Sequence, residues 1–249
     1  MQNGDGFMTS LYKKSELLFS LVLIAVYVAG TGFADGLSET LGVAKSVTAV
    51  FHCAFSAVLF LWLRRNGLFR KYGLCKSSVK PRRYLYYVPL IIVSTVNLWF
   101  GVRLNMSIAE TVLFLCSMFF VGFLEEIIFR GFLFRAMEKD GVRSAVVVSS
   151  VTFGIGHIVN LFNGHGMGLI ENLCQIAYAV AFGFMFVLIF YRGGSLIPCI
   201  VSHGAVNMLS AFANEDALTD SVNIVLSLCL CVFIGVYCMV LHRLLPRGE

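Results

Sequence analysis

Three pairs of residues, each spaced four apart within apolar surroundings and each with at least one polar member, are the part of this 249-residue chain able to do chemistry. Glu125 and Glu126 stand side by side, with Arg130 four residues past the second. Phe153 precedes His157 by four, and His203 precedes Asn207 by four. Residues four apart share one helix face, so each pair can aim at a single point. A carboxylate among apolar helices suits general-base work on a water molecule. Glu125 is therefore the candidate base, and His157 the group that holds the water with it. A ring nitrogen of His203, Nε2 or Nδ1, and the Asn207 amide are donors suited to the oxyanion of a tetrahedral intermediate. Glu126 and Arg130, at i and i+4, pair with each other and lock the helix, and Phe153 sets an aromatic ring one turn from His157. The chemistry this set would perform is water-activated hydrolysis of a peptide bond.

The segments that carry these groups read as membrane-spanning. Hydrophobic residues make up 58% of the chain and charged ones only 13%, about half the share of an ordinary soluble domain, and the mean hydropathy is +0.84. An ionisable side chain at the centre of a spanning helix costs roughly 2.5 to 3.5 kcal/mol, so three together mark a functional site. With 23 Phe against 4 Pro, the composition favours long helices over turn-rich β structure. The expected fold is an all-α, polytopic transmembrane helical bundle.

Stretches of about 20 apolar residues predict about eight spans: Leu17 to Phe33, Val43 to Leu63, Tyr84 to Val102, Ile108 to Phe134, Ser144 to Asn160, Leu169 to Tyr191, Leu196 to Phe212 and Val222 to Leu241. Alternating loops collect the basic residues: Lys13 and Lys14, then Arg64 through Arg83, then Arg135, Lys139 and Arg143, then Arg192, and finally Arg243 and Arg247. The other loops are acidic or neutral apart from Arg103. That asymmetry predicts both termini in the cytoplasm. Four parts follow: a cytoplasmic segment 1–16, three spans with the basic loop in 17–102, a catalytic core 103–215, and a last span with a short tail in 216–249. The basic loop suits anionic lipid headgroups rather than nucleic acid, given its place between two spans. Lys13 and Lys14 before an apolar run also resemble a signal peptide, but an uncleaved anchor preserves the orientation pattern.

At 1.5 Å per residue, Glu125 lies roughly 15 Å from the cytoplasmic end of its span, His203 roughly 12 Å and His157 roughly 20 Å. One level can therefore hold all three. Gly154, Gly156 and Gly204 would let the helices approach closely around them. His52, Asn97, Asn172 and Gln175 read as helix-packing residues, and His165 as a solvated residue of an outer loop. The eight Cys show no CxxC pair and no metal-type spacing; seven lie in predicted spans and Cys75 in the basic loop, so no disulfide is indicated.

Glu125-Glu126-x-x-x-Arg130, Phe153-x-x-x-His157 and His203-x-x-x-Asn207, in that order on three helices, resemble the motifs of the CPBP family of intramembrane glutamic proteases. That family holds the CAAX prenyl proteases of Rce1 type and the bacterial Abi, or bacteriocin-immunity, proteins. The likeness runs from about Ile108 to Phe212, with no departure at a motif position. It implies the roles given above, with Glu125, His157, His203 and Asn207 catalytic and Glu126, Arg130 and Phe153 supporting. The substrate it implies is a hydrophobic or membrane-tethered peptide, CAAX-like at its closest to the family's enzymes, and the setting a multi-pass protein of a bacterial cell membrane. A carboxylate and two His can in principle bind Zn²⁺, but HExxH is absent and the two His lie on different helices, so the expected mechanism uses no metal and no other cofactor. The alternatives are a non-catalytic self-immunity or membrane scaffold protein and a proton-coupled transporter, the latter lacking the inverted-repeat, broken-helix pattern of many transporters.

Overall fold

Ser15 makes the first corner of the chain. It stands in extended conformation at the end of a short helix, α1 (Phe7–Lys14), and its hydroxyl accepts from the Leu18 N–H at 3.1 Å. That bond caps α2 (Glu16–Thr40), whose 25 residues rise about 37 Å, more than the hydrocarbon core of a bilayer. The computed structural model to which these elements belong describes residues 6–80, 84–161 and 168–244. Arg82, Arg83, His165 and Arg247, all assigned to loops or termini by sequence, lie outside the described residues.

Gly42 and Lys45, both in the left-handed region, turn the chain into α3 (Ser46–Arg65). Lys45 is held there by its ammonium, 2.8 Å from the buried Asp35 carboxylate, which also accepts from Thr48 Oγ1 at 2.6 Å. α4 (Tyr84–Ser94) follows, then a 3₁₀ turn, Val96–Leu98. Ser107 and Glu110 form a capping box that starts α5 (Ile108–Glu125). α5 continues without a break through a π-helical segment, Glu126–Phe134, into α6 (Arg135–Glu138). α7 (Val142–Gly156) tightens into a 3₁₀ turn at His157–Leu161. α8 (Leu169–Gly193) ends on left-handed Gly194, α9 (Ile197–Leu209) starts with Pro198 in its first turn, and α10 (Asp220–Leu244) closes the described chain.

The structure is all-α: the described residues contain no strand beyond one isolated bridge between Val102 and Ala213. Six helices are long and apolar enough to cross a membrane: Glu16–Thr40, Ser46–Arg65, Ile108–Glu138, Val142–Leu161, Leu169–Gly193 and Asp220–Arg243. They coincide with six of the eight predicted spans. The third and seventh predicted spans correspond to shorter helices. α4 has 11 residues, about 16 Å of rise, and gives way where Ser94 and Thr95 bond back to the carbonyls of Leu90 and Ile92. The seventh reaches from Ile197 to Phe212 and tightens to 3₁₀ at Ser210, whose hydroxyl takes the Asn207 carbonyl at 2.7 Å. Large apolar side chains such as Val50, Ile91, Val225, Leu228 and Val232 face outward along the bundle, a surface that belongs in lipid rather than water. All eight cysteines are free thiols.

α5 and its π continuation occupy the centre. α5 packs between α3 and α9, and the π segment lies against α2, α7 and α8. Gly122 makes the closest of these approaches: a Cβ there would meet the Gly204 backbone nitrogen at 2.6 Å and its Cα at 2.7 Å. Gly154 works as its sequence surroundings suggested, with the Val180 backbone nitrogen 2.8 Å from its hypothetical Cβ. The other two glycines singled out in the sequence behave differently. Gly156 has nothing within 4 Å, and Gly204 only contacts at 3.8 Å or more, so Gly204 is the surface on which Gly122 closes. Gly122→Ala must push α5 from α9, an overpacking cost of about 1 to 3 kcal/mol, and thermal unfolding in detergent will show it as a lowered midpoint. Gly156→Ala will leave the midpoint in place; equal midpoints for both variants would remove the close-packing role from Gly122.

Candidate active site in the centre of the bundle

The two glutamates lie at the junction where the α-helix widens into the π segment, a distortion found frequently at functional sites. The π turn frees main-chain carbonyls from the usual ladder, and α7 supplies a partner for one: Ser149 Oγ donates to the Phe129 carbonyl at 2.8 Å. Adjacent carboxylates on this turn reach different partners. Glu125 Oε1 accepts from the Tyr27 hydroxyl at 2.7 Å, and its Oε2 lies 3.3 Å from His203 Nε2. Glu126 Oε1 lies 2.8 Å from His203 Nδ1 and 3.1 Å from Arg130 Nη1. His203 of α9 thus stands between both carboxylates, one ring nitrogen to each.

Exposure separates the two acids. Glu126 and Arg130 are wholly buried, whereas Glu125 keeps 8% of its surface and His203 7%. Of the two acids, Glu125 thus keeps some surface, although its Oε2 is itself buried and without a hydrogen-bond partner, and Glu126 is the internal anchor. The Arg130 guanidinium lies 3.9 Å from the centroid of the Phe153 ring, so stacking on its π face adds to the attraction of Glu126. None of its nitrogens makes an aligned hydrogen bond among the described residues, which leaves charge and stacking as what holds it.

A neutral imidazole donates from one nitrogen only. With a carboxylate oxygen facing each nitrogen of His203, the arrangement has room for one proton beyond the neutral ring, on Nε2 or on Glu125 Oε2.

His157 follows α7 at the start of its 3₁₀ turn and is half-buried. Its ring and that of His203 both stand edge-on to Phe153, at centroid distances of 5.3 and 5.6 Å. Asn172 Nδ2 of α8 donates to the His157 carbonyl at 2.8 Å and fixes the end of the α7 helix. Asn207 comes one turn after His203 on α9, also half-buried. The structure thus joins Glu125, Glu126, Arg130, Phe153 and His203 by direct contact and sets His157 against the same aromatic ring. Among the described residues, no hydrogen bond links Glu125 to His157, and no hydrogen bond links Asn207 to either glutamate. Nor do three His, Cys, Asp or Glu side chains gather there as a metal shell.

The residues assigned to helix packing do pack helices. His52 accepts or donates between Thr31 Oγ1 at 3.0 Å and Ser117 Oγ at 2.9 Å, tying α2, α3 and α5 together. Asn97 Nδ2 donates to the Val206 carbonyl at 2.7 Å, and Gln175 Oε1 accepts from Asn160 at 2.9 Å. Tyr27 is the site residue that the sequence reading passed over. Its signal was available in the stripe Tyr27, Thr31, Asp35, a polar residue at every fourth position of an apolar helix.

Comparison with known proteins adds one match. Residues 107–209 match the family model described as type II CAAX prenyl endopeptidase Rce1-like, a stretch that begins at the Ser107 cap of α5 and takes in every motif residue from Glu125 to Asn207. No curated protein and no solved structure matches the chain.

Proposed function

We propose that this integral membrane protein, whose residues 107–209 match the Rce1-like family model and which has six helices able to cross a membrane, is an intramembrane CAAX-type endopeptidase with Glu125 as its catalytic base. The observation that carries this reading is the difference between the paired acids. Glu126 is sealed against Arg130, and Glu125 alone retains surface, with Oε2 set against His203 Nε2. Glu125 takes a proton from a water that His157 helps to hold, and the hydroxide forms a bond to the carbonyl carbon of the scissile peptide. The carbonyl π electrons move to oxygen, where His203 and Asn207 donate hydrogen bonds. Collapse of this oxyanion breaks the C–N bond, and Glu125 returns its proton to the leaving amine. The substrate is a hydrophobic or membrane-tethered peptide, CAAX-like at its C-terminus or otherwise anchored, and the reaction needs no metal. Both nitrogens of His203 already face carboxylates, which favours a hydrogen-bonding over a metal-ligating role.

Purified protein in liposomes, offered fluorogenic hydrophobic and prenylated peptides, is expected to cleave them at the same rate with and without a Zn²⁺ chelator. Loss of cleavage on chelation would instead move Glu125, His157 and His203 into a metal shell. An absence of cleavage, with immunity to a bacteriocin that survives Glu125→Gln, would replace the protease by a non-catalytic immunity or scaffold protein.

A further inference from the structure

α2 lies outside the matched segment 107–209, yet it places one side chain on the reacting carboxylate. Tyr27 is 11 residues into α2, about 17 Å from its start and well inside the span. Its hydroxyl donates to Glu125 Oε1 at 2.7 Å, and the residue is 7% exposed. Its ring leans on His52, at a centroid distance of 5.9 Å and 34° between planes. His52 is itself held by Thr31, one turn along α2, and by Ser117 of α5. The Tyr27 hydroxyl therefore sits on a braced frame and has little freedom to leave the carboxylate.

We propose that Tyr27 is a positioning residue for Glu125. A carboxylate has two oxygens and rotates about its last bond, so an unrestrained one presents either to a water. Tyr27 occupies Oε1 and so fixes Oε2 beside His203 Nε2, where it is buried, without a hydrogen-bond partner of its own, and is the oxygen that accepts the proton. The inference rests on Glu125 being the base, and it assigns to the first long helix a part in the reaction that the matched core does not contain.

Tyr27→Phe removes one oxygen and keeps the ring. Its kcat is expected to fall about 10- to 100-fold, the scale of a hydrogen bond to a charged group or a slight misplacement of a reacting atom. KM and the unfolding midpoint should stay at wild-type values, because Tyr27 is buried and the ring still packs. Ser38→Ala, which loosens the same α2–α3 pair at Thr48, far from the Tyr27 frame, should leave kcat within about twofold; an equal loss in both variants would reduce Tyr27 to helix packing. In the Glu125→Gln background, Tyr27→Phe should cost nothing further, since the two act as a unit. Wild-type kcat in Tyr27→Phe, with Glu125→Gln inactive, overturns this inference and leaves the protease reading intact. Full activity in Glu125→Gln overturns the protease reading itself. Infrared difference spectra between wild type and Glu125→Gln isolate the Glu125 carboxyl band without any substrate. That band should move in Tyr27→Phe, and a stationary band overturns the contact whatever the activity.

Discussion

Glu125→Gln is expected to lower kcat by about 10²- to 10⁴-fold, the usual contribution of a positioned general base. The amide matches the carboxylate in shape and can still meet Tyr27, but it cannot take a proton from water. Glu125 is near the surface of the cluster rather than sealed in it, with 8% of its area open, so the substitution leaves the buried pair of Glu126 and Arg130 untouched. The unfolding midpoint should accordingly stay within a degree or two of wild type while hydrolysis disappears. The comparison with Glu126→Gln separates the two acids. Glu126 makes no contact with the open side of the site, and its loss should appear first in stability, with activity following through the displaced His203. A Glu125→Gln protein that cleaves peptides at the wild-type rate would sink the assignment.

Arg130→Met is expected to destabilise the fold by about 3 to 5 kcal/mol, the cost of removing one member of a buried ion pair. Arg130 and Glu126 keep no solvent contact at all, and the guanidinium also stacks on Phe153. Without it, a carboxylate remains in the apolar interior with only His203 Nδ1 opposite. The double variant Glu126→Leu, Arg130→Met removes both charges and should be more stable than Arg130→Met alone, because no uncompensated charge remains. Denaturant unfolding in mixed micelles measures the difference. A single variant as stable as wild type, or a double variant less stable than the single, would mean that the pair is not electrostatically closed as the distances indicate.

The motif residues were legible because their spacing is a local property. Four residues is close to one helical turn, and hydrocarbon penalises charge so strongly that Glu125, Glu126 and Arg130 in an apolar run announce themselves. The all-α architecture and the long spanning helices followed from composition and from runs of apolar residues for the same reason. Gly122 shows where such reading stops. In the sequence it resembles Gly154 and Gly156, and only the meeting of α5 with α9 reveals that its missing Cβ, and not that of Gly204, is what lets the backbones touch.

By residue type Glu125 and Glu126 are equally suited to act as a base, and only the spacing of Glu126 to Arg130 separates them in the sequence. Their different fates come from a π turn that no residue pattern marks, and from which neighbours close over each side chain: Tyr27 and His203 for the first, Arg130 and His203 for the second. By itself the sequence determined the chemistry available and the helix that carries each group, since both depend on neighbours within a few residues along the chain. Only the tertiary structure decided which acid keeps access to water and which is sealed, and that Tyr27, 98 residues away, belongs to the site. Access and partnership are settled by how segments far apart in the chain pack, and packing depends on the shape of every helix at once.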